Sequence, residues 1–351
     1  MSLASFARNS STAHAAARRH TEPGRPSSSL SGASSTEVPP PYTWSYSRAK
    51  LLDQCERLYY EHYYGSKGGW RPDAPARARL AYRLRQLVTP GAELGRAVHR
   101  RAAEIARAVR DGAPLPSHAA LLDRTRAELS PVFTRRESDS AWRLDPRRAP
   151  VLYEAYYGRL SAARREELLA DTCARASGLL AALLNNAIWD AARQPGAKIL
   201  MIEDPILQSL DGVATAATPD LVLALPDGRV LVVDWKCGVT GDLGQVVFYA
   251  GAVHDALGPL ASAGRIEAWL VHLDRGSIEA VTVTAEDRAR TLAAMRASVA
   301  RMTALHRPSV WGGAPLPEDF ALASDPNRAC RRCRHLEACL PELKEWAAPA
   351  A

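Results

Sequence analysis

Lysine is scarce in this chain: five of its 45 basic residues are Lys and the rest are Arg. It has only four phenylalanines, and aromatic residues fill 7% of its 351 positions. No apolar run approaches the roughly 18 residues needed to span a membrane, so no spanning helix is expected. The N-terminus lacks the compact apolar core of a secretory signal. The expected compartment is therefore the cytoplasm, where reduced cysteines serve metals more often than disulfides. Acidic residues are almost missing from residues 1–40, where Glu22 and Glu37 stand among Ser, Ala, Arg and Pro without periodic apolar positions. That composition predicts a disordered N-terminal tail; an organelle transit peptide has the same composition.

What remains is ordinary for a globular protein, 47% hydrophobic and 24% charged, and long enough for one large domain or two ordinary ones. The net charge of +7 fits a polyanionic partner such as nucleic acid. An Arg- and Ala-rich composition produced by GC-rich coding would give the same balance.

Order is expected from "YTWSYSRAKLLDQCERLYYEHYYG", where Ser47 can cap a helix carrying Leu51, Leu52, Cys55, Leu58, Tyr59 and His62 at spacings of three and four. A second helix is predicted in "PGAELGRAVHRRAAEIARAVRDG", with Leu94, Val98, Ala102, Ile105 and Val109 on one face. Residues 114–196 read as a Pro-interrupted helical insertion without chemistry of its own. From residue 198 the texture turns to short β-rich runs, "KILMIEDPILQSL", "TPDLVLAL" and "RVLVVDWK", the last two joined by a turn at Pro226-Asp227-Gly228. A helix, "DLGQVVFYAGAVHDAL", and two strands, "IEAWLVHL" and "SIEAVTV", follow. Thr284 with Asp287 then starts a long helix with Leu292, Met295, Val299, Met302 and Leu305 as its apolar stripe.

The stretch "TPDLVLALPDGRVLVVDWKCG" carries the chemistry. Asp234 and Lys236 stand two apart at a strand end, so their side chains leave the same face while Trp235 points into packing. The turn brings Asp220 back beside them. Two carboxylates and an ammonium flanked by apolar residues are costly to desolvate. They suit a site in which carboxylates hold Mg2+ or Mn2+ against a phosphate and the lysine stabilises charge or orients water. An ordinary strand-end salt bridge is the competing reading.

These residues resemble the PD-(D/E)XK nuclease superfamily: "PD", then fourteen residues on "DWK". More narrowly the chain resembles the RecB-like exonuclease branch, which includes CRISPR-associated exonucleases and the AddB nuclease domains. "SYSRAKLLDQCERLYY" is similar to the branch's N-terminal S-x-S-[RK]-[LI] helix. Gly95 to His99 is similar to its G-x-x-x-H, and Gln245 with Tyr249 to its Q-x-x-x-Y. The resemblance implies an α/β, restriction-endonuclease-like mixed β-sheet flanked by helices, one domain over residues 41–346 interrupted by the 114–196 insertion. It implies Asp220 and Asp234 as metal ligands, the carbonyl of Trp235 as a third, Lys236 as catalytic lysine and His99 as an additional ligand. Gln245 and Tyr249 would position the substrate strand. Glu203, in "IED", is either an outer acid of the site or a solvent-facing strand residue. Thr218-Pro219 stands where the family usually has glycine before the first acid, and Cys237 where it favours Thr.

Near the C-terminus, "RACRRCRHLEACL" spans residues 328–340 and holds Cys330, Cys333 and Cys339 as C-x2-C-x5-C, one ligand short of a four-cysteine site. In the iron–sulfur members of that branch the missing ligand lies on the first helix, a place Cys55 occupies. The resemblance thus implies a [4Fe-4S] cluster clasping the two ends of the domain. The alternative is Zn2+ held locally with His335, which sits only two residues from Cys333 and makes shared tetrahedral coordination awkward. Cys173 is expected to be a buried small hydrophobe, and Cys237 is not counted as a ligand.

The resulting expectation is a metal-dependent DNA exonuclease acting on single-stranded ends, with a helicase or defence-complex protein as a candidate partner. A non-catalytic DNA-binding scaffold and a structure-specific endonuclease are the alternatives.

Overall fold

The computed structural model describes residues 42–238, 241–258, 265–310 and 315–343; the predicted N-terminal tail lies outside them. The elements run α1 (Tyr46–Gln54), α2 (Glu56–Tyr60), a π-turn (Glu61–Gly65), α3 (Ala76–Arg85), α4 (Pro90–Arg110), α5 (His118–Thr134), α6 (Ser140–Leu144), α7 (Tyr153–Tyr156), α8 (Ala162–Leu184) and α9 (Ala187–Ala192). Strands follow as β1 (Lys198–Ile202), β2 (Ile206–Leu210), β3 (Val213–Ala217), β4 (Leu221–Ala224) and β5 (Val230–Lys236), then α10 (Leu243–Leu257), β6 (Ile266–His272) and β7 (Ser277–Thr282). The long helix Ala285–Val310 and short C-terminal turns complete the order.

Five strands form a mixed sheet in the order β1-β4-β5-β6-β7, and β2 pairs with β3 in a separate hairpin. Only β5 and β6 run parallel, as the crossover through α10 between them requires. The β4–β5 turn is the one the sequence predicts: Gly228 takes φ 85°, open to glycine without strain, and its N–H donates to Leu225 O at 3.1 Å.

β5 explains why the sheet end is so well placed. Its run Val230–Val233 is buried on both faces, with Val230 and Val232 in the core beneath α10 and Leu231, Val233 and Trp235 in the opposite core with α4, α8 and α9. Each such side chain contributes about 1.5–3 kcal/mol by leaving water, so a one-residue slip of register would be heavily opposed. Alternation then fixes Asp234 and Lys236 on the α10 face, and Trp235 packs its ring 5.6 Å from Trp189 on the other.

Three expectations are corrected. Ser45, not Ser47, caps α1, its Oγ accepting from Arg48 N at 3.2 Å. The first helix is not continuous: Cys55 takes extended backbone between α1 and α2. Nor is "KILMIEDPILQSL" one run, because Glu203, at φ 54°, separates β1 from β2.

Helices α5 to α9 occupy the stretch read as an insertion, but they are integrated into the fold. Leu179, Leu180, Leu183, Ile188 and Trp189 share a core with β4 and β5. Tyr153 and Tyr157 donate to the carbonyls of Arg331 and Arg334, at 2.7 and 3.1 Å, and so hold the C-terminal cysteine segment. Cys173 is buried among Leu129, Phe133 and Trp142 as a small apolar group.

Candidate active site

The β4–β5 ladder ends on the pair Leu221–Val233; one step further, Asp220 faces Asp234. On the other side, β1 and β4 end on Ile202–Leu221, and the next residue, Glu203, donates its N–H to Asp220 O at 3.1 Å. Three acids therefore stand in a row across the ends of three neighbouring strands. The left-handed φ of Glu203 is a conformation unusual for a non-glycine residue, of the kind that collects at functional sites.

Asp220 is engaged at both oxygens. Oδ2 accepts from Trp235 N–H at 2.8 Å, and Oδ1 lies 3.1 Å from Nδ1 of His99, which α4 brings in from the other layer. Helix α4 is held firmly in that place. Thr89 caps it through Ala92 N–H, Pro90 opens it, and Leu94, Val98, Ala102 and Ile105 bury its inner face. Among the described residues, one group of His, Cys, Asp and Glu brings three ligand atoms within 4.8 Å of one another: His99, Glu203 and Asp220.

Asp234 lies outside that triad. It is 3% exposed, and Lys236 Nζ sits 2.5 Å from its Oδ2. This is an ion pair without good hydrogen-bond direction, so that buried oxygen accepts no directed hydrogen bond. Lys236 Nζ donates to Gln245 Oε1 at 3.3 Å, and Gln245 Nε2 donates to Tyr249 OH at 2.7 Å. The chain Asp234–Lys236–Gln245–Tyr249 thus couples the strand end to the first turns of α10. That helix is itself tied to α1: Asp242 caps it through Gly244 N–H and meets Lys50 at 2.8 Å. Here the "SYSRAK" stretch finds a physical role.

The electrostatics match a site short of positive charge. Burial and the Asp220 carboxylate raise the Asp234 pKa, against the pull of Lys236 and His99. Burial and Asp220 also raise Glu203. For His99, burial opposes the charged ring, but Asp220 and Asp234 outweigh it and the pKa rises. A divalent cation fits such a donor set: clustered carboxylate oxygens, one imidazole and a buried carboxylate oxygen lacking a directed partner. Cys237, pushed up to about 12 by burial, stays a neutral thiol.

A family model for the PD-(D/E)XK nuclease superfamily matches residues 43–340. The chain belongs to this superfamily. No curated protein sequence matches it significantly. Its α/β architecture, with a five-stranded mixed sheet flanked by helices, is the restriction-endonuclease-like fold the sequence implied, and the superfamily consists of metal-dependent nucleases. No described helix is long and apolar enough to cross a membrane.

At the opposite end of α1, all four cysteines of the expected clasp are free thiols. Burial raises Cys330, with Cys55 the next cause. Burial likewise pushes Cys333 up to about 12, with Cys330 and Cys55 adding to it, and Cys339 upward, with Cys333 and Cys55 contributing. Cys55 is thus a secondary cause, after burial, of the upward shift of each C-terminal cysteine. Soft donors held this way fit a thiophilic metal group, although the four do not draw within 4.8 Å of one another. His335 is 0% exposed, its ring centroid 6.2 Å from that of His62, and both of its ring nitrogens are buried without a hydrogen-bond partner.

The sequence leaves Glu203 open between an outer acid and a solvent-facing strand residue, and carries no sign of how the cysteine segment is held. Glu203 joins the site only through the β1–β4 register, and its one local signal is the acid at the end of an apolar run. The insertion's tyrosines hold the cysteine segment by contacts 177 and 178 residues long, which no local pattern encodes.

Proposed function

We propose that the protein is a metal-dependent DNA exonuclease of the RecB-like branch, acting on single-stranded DNA ends in repair, recombination or defence. The observation that carries this reading is the row Glu203–Asp220–Asp234 at three strand ends, with Lys236 2.5 Å from the last. Three carboxylates beside one ammonium would repel a phosphate, and a bound Mg2+ or Mn2+ reverses that. Asp220 and Asp234 would hold the ion, with His99 and the Trp235 carbonyl as further ligands and Glu203 as an additional acid. When bound, the ion supplies Lewis acidity at the phosphodiester. Lys236 stabilises the charge that develops on the phosphate oxygens. Gln245 holds the lysine toward that position, and Tyr249 holds Gln245, so the pair also positions the substrate strand. Hydrolysis leaves a 5′-phosphate.

For Cys55, Cys330, Cys333 and Cys339 we infer a [4Fe-4S] cluster. What supports it is that Cys55 is among the causes raising all three C-terminal thiols; both ring nitrogens of His335 are buried without a hydrogen-bond partner, so a local zinc site is the alternative. The proposed partner is DNA, with a helicase or defence-complex protein beside it, in the cytoplasm.

The test is degradation of end-labelled single-stranded and duplex DNA under Mg2+ and Mn2+ titration. Mononucleotides or short products from single-stranded ends are expected. Cleavage of closed circular single strands would make the enzyme an endonuclease. Binding without cleavage at any metal concentration would leave only a scaffold.

A further inference from the structure

Away from the strand ends, the loop after the π-turn, helix α3 and helix α6 enclose a cavity of about 530 Å³, within the size range of ligand sites. Four arginines line it, Arg71, Arg79, Arg83 and Arg143, and none of its lining residues is acidic. Among the described residues, no carboxylate pairs with Arg79, Arg83 or Arg143. Arg71 meets Asp73 at 2.9 Å, but both side chains are mostly solvated, so that pair holds little of the charge. The Nε of Arg83 is buried without a hydrogen-bond partner.

An aromatic platform stands beside these charges. Trp70 is 63% exposed, with its ring edge-on to Tyr82 at 5.8 Å. Its position is built rather than incidental. A Cβ on Gly69 would come 2.1 Å from Ala78 O and 2.5 Å from Tyr82 Cβ, so only glycine lets the loop lie directly on α3. That close approach presents the indole to solvent. Leu144, 84% exposed, adds an apolar edge.

Guanidiniums without a carboxylate partner, of which Arg79 donates to Pro72 O at 3.4 Å, match phosphate oxygens, with forked donors that bind them bidentately. An exposed indole offers a face on which any base can stack. An acidic protein segment would use the arginines but not the indole. We propose that this groove is a binding site for single-stranded DNA, gripping phosphates with Arg79, Arg83 and Arg143 and stacking a base on Trp70. The proposal rests on the nuclease reading and adds to it a grip on the strand separate from the strand-end acids. Helix α3 leads directly into α4, which carries His99.

The experiment measures binding of fluorescein-labelled oligo-dT20 by anisotropy in the full chain carrying Asp234→Asn, which keeps the strand intact. Trp70→Ala should weaken binding about tenfold, the typical loss of one stacking partner. Arg79→Ala with Arg143→Ala should lower the slope of log K against log salt by about 1.4, from two lost phosphate contacts at roughly 0.7 each. Melting temperatures equal to the parent's confirm that the variants fold. Unchanged affinity and salt slope in both variants would overturn the groove. So would a poly-glutamate peptide that competes as well as oligo-dT20 while Trp70→Ala has no effect. A parent that binds no single strand at all would overturn the nuclease reading together with the groove, which separates the two failures.

Discussion

His99 and Asp220, 121 residues apart in sequence, meet at 3.1 Å where the sheet ends. The contact ties the helical layer to the strand ends and fixes one oxygen of the central acid, while Trp235 N–H fixes the other. Asp220 is therefore the pivot of the row, between Glu203 on one side and, on the other, Asp234, which Lys236 pairs at 2.5 Å; burial and Asp220 raise the pKa of both neighbours.

Removing that charge separates activity from stability. Asp234→Asn is expected to lower metal-dependent DNA degradation by about 10²–10³-fold or more, as for loss of one electrostatic catalytic group. Because the native carboxylate is buried beside Asp220, the variant should melt no lower than the parent in chelator. A folded variant that degrades DNA at the parent's rate would remove Asp234 from the machinery.

Lys236 should act on rate rather than on affinity. Lys236→Ala is expected to reduce kcat by about 10²–10³-fold with KM nearly unchanged, since the ammonium is needed where charge develops. Single-turnover kinetics against a binding isotherm check this, and parallel losses in both would mark the lysine as an anchor only.

The clasp makes a prediction with colour as its readout. Anaerobically purified protein should be brown and contain iron and sulfide. Cys55→Ser should lose both and destabilise the two ends of the chain together, because one group closes a very long loop. Colourless protein containing zinc, unaffected by Cys55→Ser, would assign the site to the local set with His335.

Acid should loosen the same region through histidines that are not among the proposed ligands. Burial, aided by Arg85 and Arg334, lowers His62 to about 3, and burial with Arg48 lowers His306 to about 4. Each is neutral when folded but takes a proton near 6.5 when unfolded, so the stability it contributes is present above 6.5 and is lost as pH falls toward the folded value. Between pH 7 and pH 5 the loss is about 2 kcal/mol for each, taking the full shift. Denaturant melts at the two pH values measure it, and in His62→Phe roughly half of the combined effect should vanish.

How far the sequence reaches depends on the range of each interaction. The β5 run "VLVVDWK", the Pro-Asp-Gly turn and the Thr284–Asp287 cap are local patterns, and the structure has them where the sequence predicts. The α1 cap is misjudged by two residues because Ser45 and Ser47 are chemically equal candidates, and the choice depends on how Trp44 enters the core. Strand β3, "VATAA", is missed because small and hydroxylated side chains give no apolar alternation; it exists by pairing with β2 and with Trp44. Glu203 illustrates the remaining limit. Its neighbour Asp220 is supplied by a ladder that forms only when β1 and β4 find each other.

The break between α1 and α2 at Cys55 also matters in time, because the N-terminal helices are completed by the far end of the chain. Arg57, two residues past the break, is buried and donates to Phe320 O at 3.2 Å, 263 residues downstream, and it pairs with Glu342 at 2.6 Å. Tyr60 packs its ring 5.0 Å from Phe320. During synthesis at about 5–20 residues per second, helix α2 therefore waits roughly 13–53 s for the residues that cover it. Until then a buried arginine has no carboxylate and a row of tyrosines has no lid. The N-terminal helices can be covered only after residue 342 has been made, so the proposed clasp between Cys55 and the C-terminal cysteines would form only in the last step of folding.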